Sequence, residues 1–556
     1  VFVVGPRDDA ARRVIIVGSG GAGLIAAAEA ARQGASVTVV CKSPPGLASC
    51  TAYAGGGFTL GIGGEPPEKH RRLTAETGRG LNVPELLDAL AYGAPEAVPA
   101  LGDFGVTLRV DRGRASVSAH GHSWLLGGTG LTLPLVEHCR RAGVVFDDHF
   151  FATGLEFGGD GGRVAGLVGV DLRSGAAVTH PAEAVVLATG GAGRVYGRTD
   201  NPARTTGDGY VLAYEAGLEL LDMEFVQFYP LGVAEPGAPI WMIGLEVTDQ
   251  VPLTNSEGDP FLERLLPEWG LKSGAQANLF ARDRAARAVA SEWAAGRQVF
   301  LHLETLSRED WKDPYFAALG HLYPPGFDRA SRPMRVAPVE HYFAGGVRVD
   351  ARTHTAIPGL FACGEVTGGT DGASRVGGNA LSQLAVFGAV AGREAAAYAA
   401  VAPQARAGQA GNAFHKLAAR LDGWHRQAGR STGEEPATLR REVNRVADEH
   451  LGPLRNGEGL RTASRALEAA AARLPGLAAG DGRGLMEALE VGNLVRGARM
   501  VAAAALVREE SRGVHYRTDA PAEDPSWLRH LAVVRGPDGS PRVIPSDAGV
   551  VGLGGE

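Results

Sequence analysis

Residues 13–42 constrain the fold of this chain more than any other stretch: an apolar strand, VIIVG, runs into a helix-forming segment, SGGAGLIAAAEAARQGA, and out into a second strand, SVTVVCK. Gly18, Gly20 and Gly23 satisfy G-x-G-x-x-G immediately after the first strand and at the opening of the helix, the context of a dinucleotide-binding βαβ unit. Gly18 makes the turn, Gly20 lets a pyrophosphate approach the helix N-terminus, and Gly23 allows close helix–strand packing. The pattern therefore predicts a parallel sheet covered by helices with a dinucleotide at its edge. The second strand ends Val40-Cys41-Lys42-Ser43, with no Asp or Glu for an adenosine ribose, which argues against a standard NAD site.

A second run, 185–230, points to the same edge. Val185-Val186-Leu187 reads as a buried strand, and the glycines at 190, 191 and 193 let the backbone turn against a bulky ligand. Thr206-Gly207-Asp208-Gly209 precedes a helical stretch whose free N–H groups face a polar ligand and whose Asp208 accepts from a ligand hydroxyl; the same tetrapeptide also serves simply as a helix cap.

The remaining pattern predicts an exposed helix over 85–100, a helix over 131–143 and a hairpin over 164–178. Residues 231–335 turn irregular, with prolines and aromatics and a helix near 281–295, and glycine-rich character returns at 344–390. The expected fold class is α/β: a discontinuous Rossmann-like domain in two parts, 1–230 and 339–401, an inserted α+β domain at 231–338, a helical domain at 402–510 and a C-terminal extension at 511–556.

At 556 residues, two to four domains are expected, and 45% hydrophobic with 21% charged residues describes a globular chain with no uninterrupted apolar stretch of membrane-spanning length. The formal net charge of -7 comes without a basic stripe, so nucleic acid is not an expected partner. Cys41, Cys50, Cys139 and Cys363 form no C-x-x-C pair, so neither an iron–sulfur cluster nor structural zinc is expected within the chain. VFVVGPRDDAARR is too short in apolar residues for a secretory signal, and a reducing cytoplasmic compartment is expected. The 80 glycines and the arginine-rich, lysine-poor balance suggest a high-GC genome or a thermophile.

Four blocks in order, VIIVGSGGAGLIAAAEAARQGASVTVVCKS, the run 188–230, HYFAGGV at 341–347 and GLFACGEV with GASRVGGNALSQLAVFG at 359–388, resemble the flavoprotein subunits of succinate dehydrogenase and fumarate reductase together with L-aspartate oxidase. A fifth, ESRGVHYRTDAP at 510–521, is similar to the C-terminal signature of that family. The resemblance implies FAD: its diphosphate over Gly18, Gly20, Gly21 and Gly23, Glu365 on the ribityl chain with Asp208 nearby, and Ala380 and Leu381 at the isoalloxazine. It extends the cofactor-contacting set to Lys42, Ser49, Cys50, Thr51, Gly56, Gly57, Thr189, Gly190 and Arg375. It implies a capping role for the inserted domain, an iron–sulfur partner subunit for electron exchange, and a cytoplasmic location, peripheral to the membrane through partners.

A four-carbon dicarboxylate needs cations for its carboxylates, a flavin N5 for hydride, and a proton donor on the opposite face. Arg375 resembles the family's carboxylate clamp, which a planar guanidinium suits. His341 matches a second substrate-binding group and Arg282 the arginine that acts as acid and base. An arginine needs a relay to give up its proton. The family supplies one through Thr-Glu-x-x-Arg, and the counterpart here is Leu245-Glu246-Val247-Thr248-Asp249, with Glu246 standing for the glutamate and Leu245 and Asp249 departing from the pattern. Tyr229 stands where the family has a histidine that holds a substrate carboxylate. Cys50 stands in Ser49-Cys50-Thr51 where the family's Ser-His-Thr tethers FAD, so non-covalent FAD is expected. The segment 119–123, AHGHS, is similar to the Gly-Gly-His-Ser-His of L-aspartate oxidases. Three functions stay open: a succinate or fumarate oxidoreductase, an L-aspartate oxidase, and an FAD-bearing electron-relay subunit with a decayed pocket.

Overall fold

The computed structural model describes residues 2–3, 12–59, 61–117, 127–158, 162–405, 411–428, 433–479 and 482–553. Its organising element is a five-stranded parallel sheet in the order Leu360–Ala362, Ala184–Leu187, Arg13–Val17, Ser36–Val40, Val145–Asp147. Val17 sits opposite both Val40 and Leu187, and Leu187 opposite Ala362, so the strands end level with one another. Level ends deliver Gly18, Cys41 and Lys42, Ala188 to Gly190, and Cys363 to Glu365 to one edge of the sheet. That carboxyl edge is where open α/β sheets place their ligands. The inner strands are apolar where they are buried, with Val14 to Val17, Val37, Val39 and Val40, and Ala184 to Leu187 in the core, as burial on both faces requires.

Helix Gly21–Arg32 packs on this sheet and against helix Asn379–Val401, which also packs on the sheet. Asn379–Val401 is long and apolar enough to cross a membrane by length and composition, yet most of its apolar length is buried inside the structure. Helix Pro84–Ala100, expected to be exposed, buries Leu86, Leu87, Leu90, Ala91, Ala94 and Val98 along one face instead. Those residues recur at helical spacing, and Gly93 lets the helix approach Val386. Segment 164–178 forms the expected hairpin, Val164–Asp171 antiparallel to Ala177–Pro181.

Residues 231–336 build a second hydrophobic cluster of their own, around Leu231, Ile243, Leu253, Val289, Leu301 and Val336. Two long antiparallel strands, Val226–Val233 and Met334–Phe343, join it to the main core, because their inner halves contribute Val226, Phe228 and Phe343 to the main cluster. Gln227 pairs with Tyr342 but Phe228 with Glu340, which leaves His341 as the extra residue of a β-bulge. A bulge re-aims the side chain it carries.

Helices Asn412–Ala428, Pro436–His450, Gly457–Arg473 and Gly482–Val507 follow. The chain then returns to the first part of the molecule, with Leu531–Arg535 pairing with Leu220–Leu221. A methyl group on Gly23 would meet the carbonyl oxygen of Gly18, which cannot move without opening the first turn of Gly21–Arg32. Gly23→Ala should therefore lower unfolding stability by about 2 kcal/mol or more, whereas Gly102→Ala, whose added methyl meets nothing within 4 Å, should stay within about 0.5 kcal/mol of wild type in denaturant titrations.

Candidate active site

A cavity of about 330 Å³ runs along the carboxyl edge of the parallel sheet. At one end it is floored by the first turn of Gly21–Arg32, whose cap residue Gly20 offers no side chain. Thr51 Oγ1 accepts from the Gly21 N–H at 3.1 Å, and the next amides of the turn have no intrahelical acceptor by the geometry of any helix start. The N-terminus of Asn379–Val401 brings Ala380 and Leu381 to the same cavity. Two helix starts give the wall a positive bias suited to an anion. Thr189 Oγ1 on this wall is buried without a partner, a polar atom left for a ligand.

The residues expected to contact a cofactor nearly all line this cavity: Gly18, Gly20, Gly21, Lys42, Ser49, Cys50, Thr51, Gly56, Gly57, Thr189, Gly190, Asp208, Glu365, Arg375, Ala380 and Leu381. Gly23 does not line it and serves packing. Ser49 also caps the short helix Cys50–Tyr53, its hydroxyl accepting from the Ala52 N–H at 3.2 Å. Asp208 differs from its expected role as a free acceptor. It accepts from Thr206 Oγ1 at 2.7 Å and Asn493 Nδ2 at 2.9 Å, and pairs with Lys42 Nζ at 2.8 Å. Most of its acceptor capacity is taken, and it acts as counter-ion to Lys42, which also reaches Glu490 at 3.0 Å.

At the other end Arg282, Arg375, His341 and Tyr229 come together. Arg375, 4% exposed, donates from Nη2 to Gln227 Oε1 at 3.0 Å, lies 4.1 Å over the Tyr342 ring, and leaves Nε without an acceptor. Arg282 opens helix Arg282–Ala294 and donates from Nε to the Asn278 carbonyl at 2.6 Å, its guanidinium 4.8 Å over Tyr229. Neither arginine has a carboxylate within 4 Å among the described residues. The neighbouring Asp283 points elsewhere, to Arg287 at 3.4 Å and Arg79 at 3.6 Å. Burial first, and then Arg375, hold the Arg282 pKa down.

His341 meets Asp200 Oδ2 through Nδ1 at 2.8 Å. Burial keeps its pKa below the usual range despite Asp200, so the ring is neutral and, with its Nδ1–H given to Asp200, presents Nε2 as an acceptor. Glu246 does not line the cavity. Its Oε2 accepts from Asn278 Nδ2 at 2.6 Å, while Asn278 Oδ1 accepts from Tyr229 OH at 2.5 Å and Arg282 Nε at 3.1 Å. The link from Glu246 to Arg282 thus passes through an amide, which orients its neighbours but does not ionise near neutrality. Asp249, noted as standing where a guanidinium was expected, caps helix Gly274–Phe280 by accepting from the Gly274 and Ala275 N–H groups at 2.6 and 3.0 Å. Leu245 is buried in the second cluster.

Asp200, Asn278, Gln227, Trp241 and Met242 were not singled out from the sequence. Asn278 stands four residues before Arg282, a spacing that could have marked it, and Asp200 lies inside the run 188–230; the contact of Gln227 with Arg375 spans 148 positions and leaves no local signal. The segment 119–123 lies outside the described residues.

Glu365 accepts from the Phe343 N–H at 3.1 Å, and burial pushes its pKa up to about 7 against the pull of that N–H and of Arg375. Cys50 Sγ lies 3.2 Å from Asn201 Oδ1, and burial with the nearby Glu365 pushes its thiol well above the usual range.

Residues 13–381 match the family model described as FAD binding domain, and residues 440–546 the model described as fumarate reductase flavoprotein C-term. A subunit of the CoM/CoB fumarate reductase of Methanothermobacter marburgensis is 32% identical over 94% of this chain and 97% of its own length. An L-aspartate oxidase of Streptomyces coelicolor is also 32% identical, over 94% and 92%. The structure of the E. coli quinol fumarate reductase protein FrdA superposes with a TM-score of 0.84 at 30% identity, covering 96% of each chain. The cavity fits FAD, with uncapped amides for a diphosphate, the unpartnered Thr189 hydroxyl, and glycines where side chains would intrude.

The raised Glu365 pKa has a sign. Below about 4.5 the group is protonated folded and unfolded; between there and about 7 only the unfolded chain ionises, so stability falls as pH rises, by at most about 3 kcal/mol. In cofactor-free protein, Glu365→Gln should flatten the decline in melting temperature between pH 5 and 7 and exceed wild type at pH 8.

Proposed function

Because this chain belongs to the fumarate reductase and succinate dehydrogenase flavoprotein family, whose members are FAD-dependent oxidoreductases, we propose that it exchanges hydride with a small carboxylate, of the succinate and fumarate class or an analogue of it. One observation carries this reading: Arg282 and Arg375 sit desolvated in the wall of the FAD cavity with no carboxylate paired to either within 4 Å among the described residues. Retaining two such cations is costly unless an anionic ligand meets them.

FAD, when bound, supplies the two-electron hydride exchange. The chain's own residues do the rest. Arg375, fixed by Gln227 and the Tyr342 face, grips a substrate carboxylate. Arg282, with its pKa lowered by burial and its Nε anchored on Asn278, gives or takes the proton at the carbon next to the one that exchanges hydride. His341, aimed by the bulge and held by Asp200, orients the substrate through Nε2. Glu246 positions Arg282 through Asn278.

FAD is held without a covalent tether in this reading, because a neutral thiol at Cys50 is a poor nucleophile. Relatives named as subunits support electron exchange with a partner, taken here to be an iron–sulfur protein, and a location at the cytoplasmic side of a membrane through that partner. The L-aspartate oxidase relative supports a second substrate to assay. A decayed electron-relay pocket is disfavoured by two buried arginines that keep no direct carboxylate partner among the described residues.

Acid precipitation should release all the FAD into the supernatant, in wild type and in Cys50→Ala alike; flavin retained in the wild-type pellet alone would show a tether. Carboxylates should perturb the flavin spectrum of wild type, and Arg375→Gln should weaken that binding by about 30-fold or more. Unchanged binding in Arg375→Gln would remove the clamp. Peroxide formation with L-aspartate, and no turnover with succinate or fumarate, would replace the first reading by the second.

A further inference from the structure

A histidine stands beside the two arginines of the cavity, and its orientation is fixed from three sides. Asp200 Oδ2 accepts from His341 Nδ1 at 2.8 Å. Asn201 Nδ2 donates at 3.1 Å both to Asp200 Oδ1 and to the His341 carbonyl, and the Asp200 N–H donates to the Glu340 carbonyl at 3.2 Å, so carboxylate and imidazole are held against one another. The imidazole lies at 70° to the Tyr229 ring with centroids 5.2 Å apart, and Arg282 stands 4.8 Å over that same Tyr229 ring. Arg375 stands 4.1 Å over the ring of Tyr342, the next residue in the strand. Each guanidinium is therefore one aromatic side chain removed from His341, and all three groups line one cavity.

Nε2 of this imidazole has no hydrogen-bond partner among the described residues. With the Nδ1–H given to a carboxylate, Nε2 offers a lone pair. Burial, Arg375 and Arg282 all press against protonation of the ring, and together they outweigh Asp200. An acceptor nitrogen cannot hold a carboxylate, and reacting carbons that carry only hydrogen give it nothing to accept. It calls for an O–H or N–H on the substrate, beside the carboxylates that the arginines hold. An ammonium there would be a third cation near Arg282 and Arg375, whereas a hydroxyl adds no charge.

We propose that the substrate is a small 2-hydroxy diacid, its carboxylates on Arg375 and Arg282 and its hydroxyl on His341 Nε2, and that His341 takes the hydroxyl proton while hydride leaves the same carbon for the flavin. The C–O bond becomes a carbonyl and the product is a 2-oxo diacid. The electron pair resides on the reduced flavin, and the proton rests on His341, where Asp200 balances the imidazolium. On such a substrate Arg282 serves as a cation rather than as the acid. This rests on the carboxylate-site reading above.

Two measurements on FAD-loaded full-length protein test this. The first titrates the flavin absorbance with 2,2-dimethylsuccinate and 2-hydroxy-2-methylsuccinate, which match in shape and carry no hydrogen at C2 to lose. The hydroxylated diacid should bind about 10-fold tighter or more, and His341→Phe protein of normal flavin content should bind the two within about 2-fold of each other. No preference in wild type, a preference that survives His341→Phe, or tighter binding of 2-amino-2-methylsuccinate would overturn the proposal. The second adds malate in the absence of oxygen. The flavin should bleach as 2-oxosuccinate forms, more slowly with deuterium at C2 and unchanged with deuterium at C3. No bleaching by either enantiomer, or slowing by deuterium at C3, which marks loss of hydrogen across C2–C3, would overturn it even where the added methyl keeps the inert diacids out. Asp200→Asn should slow bleaching at saturating malate by about 10-fold or more while changing the binding of 2-hydroxy-2-methylsuccinate by no more than about 3-fold, and equal losses in both would overturn the proton transfer. If succinate and fumarate also leave the wild-type flavin unperturbed, the carboxylate site itself fails; if they bind and malate does not react, only the hydroxyl reading fails.

Discussion

Two guanidiniums held out of water with no carboxylate within 4 Å among the described residues set the terms for the rest of this site. The desolvation cost of each is several kcal/mol even after relaxation. The protein offsets part of it with neutral groups: Gln227 and the Tyr342 ring for Arg375, the Asn278 carbonyl and the Tyr229 ring for Arg282. A cation on a desolvated aromatic face gains about 2 kcal/mol, and a hydrogen bond to a charged group about 1.5–3 kcal/mol. Such partners stabilise the cation without cancelling its field. A carboxylate in the same place would do both, and the field that remains is what an anionic substrate meets.

Holding these groups in register is the work of the two long strands that join the second cluster to the main core. Tyr229 and His341 lie near the crossing point, their rings 5.2 Å apart. Glu340, His341 and Tyr342 are consecutive but face three different tasks. Glu340 accepts from Thr199 at 2.5 Å, His341 meets Asp200, and Tyr342 donates to Asp371 at 3.1 Å beneath Arg375. Strict alternation would put the first and third on one face and allow no such division. The bulge at His341 breaks the alternation, so removing it would misplace all three groups.

The parallel sheet was legible in the sequence because its determinants are local: glycines at fixed offsets, apolar runs of strand length, and a helix between them. The same holds for the hairpin at 164–178. The helix over 85–100 was legible in position but not in exposure, because its buried face is decided by Asn379–Val401, some 290 residues later. Arg282, His341 and Arg375 were reached through resemblance, whereas their partners Asn278, Asp200 and Gln227 were not. A side chain that serves only to hold another leaves no composition or period of its own. Glu246 shows the converse: the acid was found, but the amide between it and Arg282 decides whether it carries a proton or merely an orientation.

Glu365 and Arg375 form one electrostatic unit at the cofactor edge of the cavity, so in the proposed reading the carboxylate clamp is coupled to it. The Glu365 pKa is raised by burial and Asp200 and lowered by the Phe343 N–H and by Arg375. A substrate carboxylate gripped by Arg375 spends part of the positive field that now favours ionised Glu365. The carboxyl must then become harder to ionise, and near neutrality a fraction of a proton is taken up as the substrate binds. Linkage makes the effect reciprocal: protonating Glu365 removes a negative charge near the incoming carboxylate and tightens its binding. Since Glu365 lines the cavity beside the strand ends, substrate charge is felt at the cofactor edge without any movement of the backbone.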